Sequence, residues 1–534
     1  MGNILKLLVF GAAGIPWLGS SPAQSASPSA AVRIVGKSYG ASPALRTLPY
    51  ASAEALKTFQ QFLPLRHPRP VTSTSGTAIP SDSALQTFAA TAVSAPIGVN
   101  VLGLGAGFPS FKVTVVAPDT NAAVGATQVV EVVKTSIQVF DKTTGASVGT
   151  PVALSTLVTT GDNCQKGQLS DPIVLFDKTN GRWVITYIAA TDLNKLIGPF
   201  LQCFAVSTTN DATGTYFIYS FDVSTLGGMN DYDKMGIWPD AYYMSYNEFD
   251  LTDKFLGATP CAFQSSVMIA GRAGPLLICF APILTEDSLL PADVDGATPP
   301  SLGEPEFFIG TIDSRESFHV SQFHVDFVTP ANSTFTGPAN VKVSPFREAC
   351  GGGVCVEQPS GGTLLDSLGD RLMYRAAYRN FGTHESVVLS HSVQAAESTG
   401  IRWYELRSPA ASPFIFQQGT FAPNELFRWM PSIAMDHDGD IAVGYSVSGR
   451  RVFPSVRYTG RKSMQPKGQM SAEAAIVKGA GVKFSRDTGW GDYSSMSIDP
   501  IDDCTFWYAQ EYILTSGKFH WSTRLASFKF PECE

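Results

Sequence analysis

Four aspartates, Asp119, Asp171, Asp240 and Asp492, each stand near the head of a short apolar or β-branched run. Aromatic or basic residues accompany them, as in "WPDAYYMSYNEF" from Trp238 and "WGDYSSMSIDP" from Trp490. Two carboxyls facing one pocket can work as general acid and base, or as nucleophile and acid, on a glycosidic bond. Asp171, Asp240 and Asp492 are the candidates for that role. Asp119, Trp238, Arg371, Arg375, Arg428, Trp429, Trp490 and Tyr493 are candidates for ligand binding, because aromatic faces stack on sugar rings and guanidinium groups grip carboxylates. Each has a structural alternative: an Asp entering a strand binds neighbouring amides, and a Trp packs.

Arg371, Arg375 and Arg379 recur at every fourth position, which in a strand puts all three on one side. Such a row either grips an acidic ligand or pairs with neighbouring aspartates. "DHDGD", Asp436 to Asp440, clusters oxygen donors around a glycine; Asp436, Asp438 and Asp440 are a calcium candidate, with a plain hairpin turn as the alternative. No C-x-x-C or paired-His spacing points to another metal.

What must position these residues is legible from a repeat. "SDPIVLFDKTNGRWVITYIAAT" runs from an Asp entry through an apolar run and a turn at Asp177–Gly181 into a second run. "RWMPSIAMDHDGDIAVGYSV" and "WGDYSSMSIDPIDDCTFWYAQEYI" follow the same grammar. The entries at 119, 171, 240, 371, 428 and 492 are separated by 52, 69, 131, 57 and 64 residues. The longest gap holds either two units or one unit with the loop "TEDSLLPADVDGATPPSLGEPE". A four-strand sheet repeating every 50–65 residues, with continuous apolar runs, predicts an all-β chain: a six- or seven-bladed β-propeller. Tandem β-sandwiches are the alternative. In a propeller the entry residues converge at one mouth of the central channel although they lie far apart in sequence.

The Asp-turn hairpins, with "STTNDATGTYFIYSFDV" after one of them, resemble the secreted sialidase-like, Asp-box class of propellers; "FDKTNGRW" and "MDHDGDIA" approximate the box. The resemblance implies a carbohydrate ligand at the channel mouth.

The chain has 534 residues, a formal charge of −8 and only 16% charged residues, with 48 Gly and 35 Pro. No basic stripe is present to displace phosphate counterions, which argues against a nucleic-acid partner. Lys6, the apolar stretch Leu7–Leu18 and small residues around Ala23 and Ser25 predict a secretory signal over 1–25. Nothing after it is long and apolar enough to span a bilayer. Residues 26–104 are expected to hold a short helix in "SAEALKTFQQFL", with Leu56, Phe59 and Leu63 at helical spacing, and a Pro/Ser/Thr-rich arm; the propeller is expected over 105–534.

Eight cysteines lie beyond the signal: Cys164, Cys203, Cys261, Cys279, Cys350, Cys355, Cys504 and Cys533. Pairing sequence neighbours gives four local bridges, one of 105 arrangements, and fits an extracellular or periplasmic compartment. Two functions are compatible with all this. One is a secreted propeller binding an extracellular glycan or small ligand; the other is a glycoside hydrolase or lyase using channel carboxylates.

Overall fold

The computed structural model describes residues 1–2, 30–49, 66–68, 82–89, 91–311, 315–359, 361–485 and 487–534. Most of the expected signal, the expected helix and most of the arm lie outside the described residues.

Antiparallel sheets built from consecutive strands account for nearly all of the chain. Runs such as Arg182–Ala190 (RWVITYIAA) and Ile441–Gly449 (IAVGYSVSG) are buried on both faces, as expected when each sheet is packed between two others. Sheet one is Asn121–Val124, Gln128–Val133, Ser136–Asp141 and Ser147–Ala153. Sheets two to six open with Gln168–Asp177, Met229–Ile237, Asp287–Asp295, Met373–Asn380 and Phe427–Met435. Sheet seven is Ser495–Ile498, Phe506–Ile513 and Trp521–Phe528, completed by Ile97–Gly105 from the N-terminal side. The sheet-forming region therefore begins before residue 105, because the ring closes by borrowing its outermost strand.

The opening strand of each sheet packs against that of the next, and the seventh returns to the first. There Ser495 Oγ accepts from the Ala122 amide at 2.8 Å. This cyclic order is a β-propeller, not a row of sandwiches. Between the fourth and fifth sheets the opening strands also pair in parallel, from Ala292 with Ala376 to Asp295 with Arg379. The 131-residue gap thus holds two sheets, and the stretch read as a loop contains the fourth opening strand.

Hydrophobic clusters fill the spaces between sheets. Trp183, Ile185 and Tyr187 of sheet two pack on Val130, Val132 and Ile137 of sheet one. Tyr458 of sheet six stacks on Phe528 of sheet seven with ring centroids 4.2 Å apart. The four disulfides are Cys164–Cys203, Cys261–Cys279, Cys350–Cys355 and Cys504–Cys533. Among the described residues no helix is long and apolar enough to cross a membrane.

Candidate functional site

The opening strands surround an axial channel, and its two ends differ. At the end where these strands enter, a backbone feature repeats. Asp119, Asp171, Tyr232, Ser288, Met430 and Asp492 all have φ between 46° and 52°. Each interrupts or precedes an opening strand; the pairing register breaks around Asp171, Tyr232, Ser288 and Met430. Sheet five breaks register between Met373 and Ala377. Left-handed non-glycine residues cost of order 1–3 kcal/mol each and persist where the surroundings over-determine them. Here the bulges re-aim side chains toward the axis.

The result is a dense charged cluster at the entry end. Asp119, Asp171, Asp231, Asp492, Lys134 and Arg371 converge there around a space of about 40 Å³. Lys134 pairs with Asp119. Asp171 accepts from Ser170 Oγ and from Tyr493 Oη, both at 2.5 Å. The Lys234 ammonium lies 3.8 Å and 3.4 Å from the ring centroids of Tyr232 and Tyr493, a desolvated cation–π arrangement. Burial pushes Lys234 down to about 8, against the pull of Asp233, Asp171 and Asp231. Burial raises Asp492 and Asp231 to about 6 each. Asp119 is driven up by burial despite Lys134, which remains a cation. Asp171 goes the other way: burial pushes up, but Lys134, Lys234, Ser170 and Tyr493 together hold it below its ordinary value.

At the opposite end, where the opening strands turn back, lies a cavity of about 480 Å³. Ile237, Trp238, Tyr374 and Ile498 supply apolar wall; Lys178, Asp293, Asp295, Arg375 and Asp503 supply charge. Arg375 donates to Asp293 Oδ2 at 3.0 Å and to Asp295, and its Nε donates to Met496 O at 3.1 Å. Burial pushes the Asp293 carboxyl up to about 6 although Arg375 opposes it. Arg379 holds Asp503 through two 2.7 Å hydrogen bonds.

The sequence-derived candidates therefore divide. Asp119, Asp171, Arg371, Asp492 and Tyr493 meet at the entry end. Trp238 and Arg375 line the cavity at the turn end. Trp238 and Asp240 do not enter sheet three; they form the turn after its opening strand, whose bulge is at Tyr232. Asp240 accepts from Tyr243 Oη at 3.2 Å, and Trp238 Nε1 donates to Glu304 O. Arg428, Trp429 and Trp490 do not face the channel. Arg428 is buried against Glu473 and Asn424, and the two tryptophans pack on each other with centroids 5.5 Å apart. The arginine row is paired throughout, with Arg371 on Asp370, Arg375 on Asp293 and Asp295, and Arg379 on Asp503.

In "DHDGD", Asp436 Oδ1 accepts the amides of Asp438 and Asp440 at 3.1 Å and 2.9 Å, and Asp440 Oδ1 accepts the Ser463 amide. Burial and Asp440 push Asp436 up to about 8, which favours a protonated turn carboxyl at neutral pH. "GKSYG", Gly36 to Gly40, has nucleophile-motif spacing, but Ser38 sits on an edge strand paired with Tyr219, with no strand-to-helix elbow. Lys134, Lys178, Asp231, Tyr232, Lys234, Asp293 and Asp295 were not singled out from sequence. Tyr232 and Lys234 lie in "NDYDKMG", whose alternation of charge was the available signal.

No protein-family model matches the chain, and neither does any curated protein. Solved structures do. An exo-β-1,3-galactanase from Clostridium thermocellum is 10% identical with TM-score 0.31, covering 77% of this chain and 91% of its own. Drosophila Semaphorin 1b extracellular domains are 7% identical with TM-score 0.37, covering 83% and 88%. A PL25 ulvan lyase is 10% identical with TM-score 0.34, covering 82% and 94%. Likeness at that level says nothing about what this chain binds.

Proposed function

We propose that this chain is an exported propeller, its seven sheets of four or five strands being seven blades, that binds an extracellular glycan at the turn end of its channel. The observation that carries the reading is the 480 Å³ cavity with Asp293, Arg375 and Asp295 on its floor and apolar walls around them. Its size lies within the roughly 300–1,000 Å³ range of small-molecule sites. A bridged carboxylate–guanidinium–carboxylate array offers fixed acceptors and donors for sugar hydroxyls, and the apolar wall suits the C–H face of a ring. Four disulfides and the N-terminal leader pattern support export.

A second reading, hydrolysis or lyase chemistry, is favoured by one observation: Asp293 is raised to about 6 inside that cavity, a value suited to a general acid. A glycan array followed by calorimetry on its best hit tests binding, and product analysis on the same hit tests turnover. Asp295→Asn is expected to weaken the hit at least tenfold while leaving fold and disulfides intact. An array without hits, or a hit indifferent to Asp295→Asn, removes the proposal.

A further inference from the structure

The entry end is closed by a piece of the chain from far outside the sheets. Arg66 is only 7% exposed. Its Nε donates to Asp253 Oδ1 at 2.7 Å, its Nη2 to Leu193 O at 3.3 Å, and its carbonyl accepts from Arg371 Nη2 at 2.9 Å. The His67 ring nitrogens face Asp370 Oδ2 at 2.8 Å and Asp366 Oδ2 at 3.4 Å. Arg66 also borders the small space above Asp119, Asp171 and Asp492.

The charge balance explains why a basic pair fits there. Beneath Arg66 four aspartates, Asp119, Asp171, Asp231 and Asp492, face Lys134, Lys234 and Arg371, and Arg371 is already engaged by Asp370. Asp366 and Asp253 add further carboxylates at the rim. The sheets alone thus present an excess of negative charge in a narrow, largely buried mouth. Buried charge of one sign is costly until a partner of the other sign is supplied. The rim carboxylates supply hydrogen-bond acceptors at two separate points, one for a guanidinium and one for an imidazolium, and Arg371 supplies a donor for the peptide carbonyl between them.

We propose that the entry end of the channel is a second binding site, built for a cationic peptide segment and filled in this structure by the chain's own Arg66-His67. It is independent of the glycan reading, which concerns the other end. Two features make it a receptor for a segment and not only a packing contact. Recognition includes the main chain, through the Arg66 carbonyl, as well as both side chains. The imidazole is also held as a cation: burial lowers it, but Asp366 and Asp370 outweigh burial and raise it to about 9.

The test is calorimetry at pH 7 on the full-length Arg66→Gly/His67→Gly double variant, titrated with the blocked tripeptide Arg-His-Pro. Saturable binding that weakens with salt is expected in the variant and at least tenfold weaker binding in the wild type. The neutral analogue Gln-Gln-Pro is expected not to bind, and adding Asp366→Asn to the variant should abolish binding of the basic peptide. Glycan affinity is expected to be unchanged in the double variant, so the two sites fail or succeed separately. A folded variant that ignores the peptide, or equal binding of both peptides, overturns the proposal. If the double variant does not fold, His67→Gln alone is used; failure of that protein to fold too would make the segment a strut and overturn the proposal as well. Sedimentation of the wild type as a monomer is expected, since an arm supplied by a second copy would give dimers.

Discussion

Tyr493 Oη donates a 2.5 Å hydrogen bond to Asp171 Oδ2 across 322 residues of sequence, tying the loop that enters the seventh sheet to the opening strand of the second. The sheet between them contributes Lys134, so the bond spans the point where the ring closes. Tyr493 is also an edge-to-face partner of Tyr232, with centroids 5.3 Å apart. One phenol therefore links the second, third and seventh sheets at the axis.

Tyr493→Phe keeps the ring contact and removes only the donor to a buried carboxylate. A hydrogen bond to a charged group contributes about 1.5–3 kcal/mol, and that loss is expected in urea denaturation. Asp171 is held below its ordinary value, so the stability this contributes is present above about pH 4 and lost as pH falls through the depressed folded-state value. The gap between wild type and variant should accordingly narrow below about pH 4. A gap that is constant across acid pH would mean that the phenol acts by packing alone.

Gly236 tests how tightly the opening strands approach. A Cβ added there would sit 2.2 Å from Ala292 O, a backbone atom of the neighbouring strand. Backbone cannot swing aside as a side chain can, so Gly236→Ala must push the third and fourth sheets apart. Overpacking of this kind typically costs about 1–3 kcal/mol. The urea midpoint should fall, and an unchanged midpoint would show that the two strands are not so closely apposed.

The disulfides should differ in worth. Cys164–Cys203 spans a sequence separation of 39 and Cys350–Cys355 one of 5. Loop-closure entropy alone then gives about 4 kcal/mol for the first and about 2 kcal/mol for the second. Replacing each pair by serine and comparing thermal midpoints checks the order; a larger loss from the short loop would mean that strain or local packing governs.

The ring was legible in the sequence because most of its sheets repeat a crude grammar: a polar entry, an apolar run, an Asp/Gly turn, another run. "SDPIVLFDKTNGRWVITYIAA" carries all four: its turn and second run agree with the structure within two residues, while the first strand already begins at Gln168, ahead of the Asp entry. The bridges were legible because each joins sequence neighbours. What was not legible is the backbone signal at the axis. Asp119, Tyr232, Ser288 and Met430 share a left-handed φ and nothing in side-chain type. Searching for an Asp or Trp entry therefore led to Trp238 and Asp240, six and eight residues past the bulge at Tyr232 in sheet three. Nor did the arm's "RHP" stand out, since what fixes it is a set of carboxylates from two other regions of the chain, Asp253 and the Asp366–Asp370 segment.

Glu131 gives a prediction with a sharp pH signature. Its Oε2 accepts the Leu104 amide at 2.7 Å, and Thr523 Oγ1 is 2.5 Å from Oε1 and 2.6 Å from Leu104 O. A hydroxyl has one proton, so if Thr523 donates to Leu104 O, a protonated Glu131 can donate to Thr523 and satisfy every atom. Burial raises Glu131 to about 7, against the bonds from Thr523 and Leu104. A carboxyl whose folded-state value lies above its unfolded one makes stability fall as pH rises. The penalty is absent below about 4.5, grows between there and about 7, and levels off above that value, where the carboxyl is ionised in both the folded and the unfolded chain. Glu131→Gln places an amide N–H where the carboxyl proton was and cannot ionise. It should match wild type near pH 4.5 and exceed it at pH 8–9, by up to about 3 kcal/mol from a shift of that size. Because Glu131 joins the first sheet to the borrowed strand Ile97–Gly105 and to Trp521–Phe528, amide exchange in those strands should slow in the variant at high pH. Equal stability of the two proteins at pH 9 would mean that Glu131 is ionised and solvated where the ring closes.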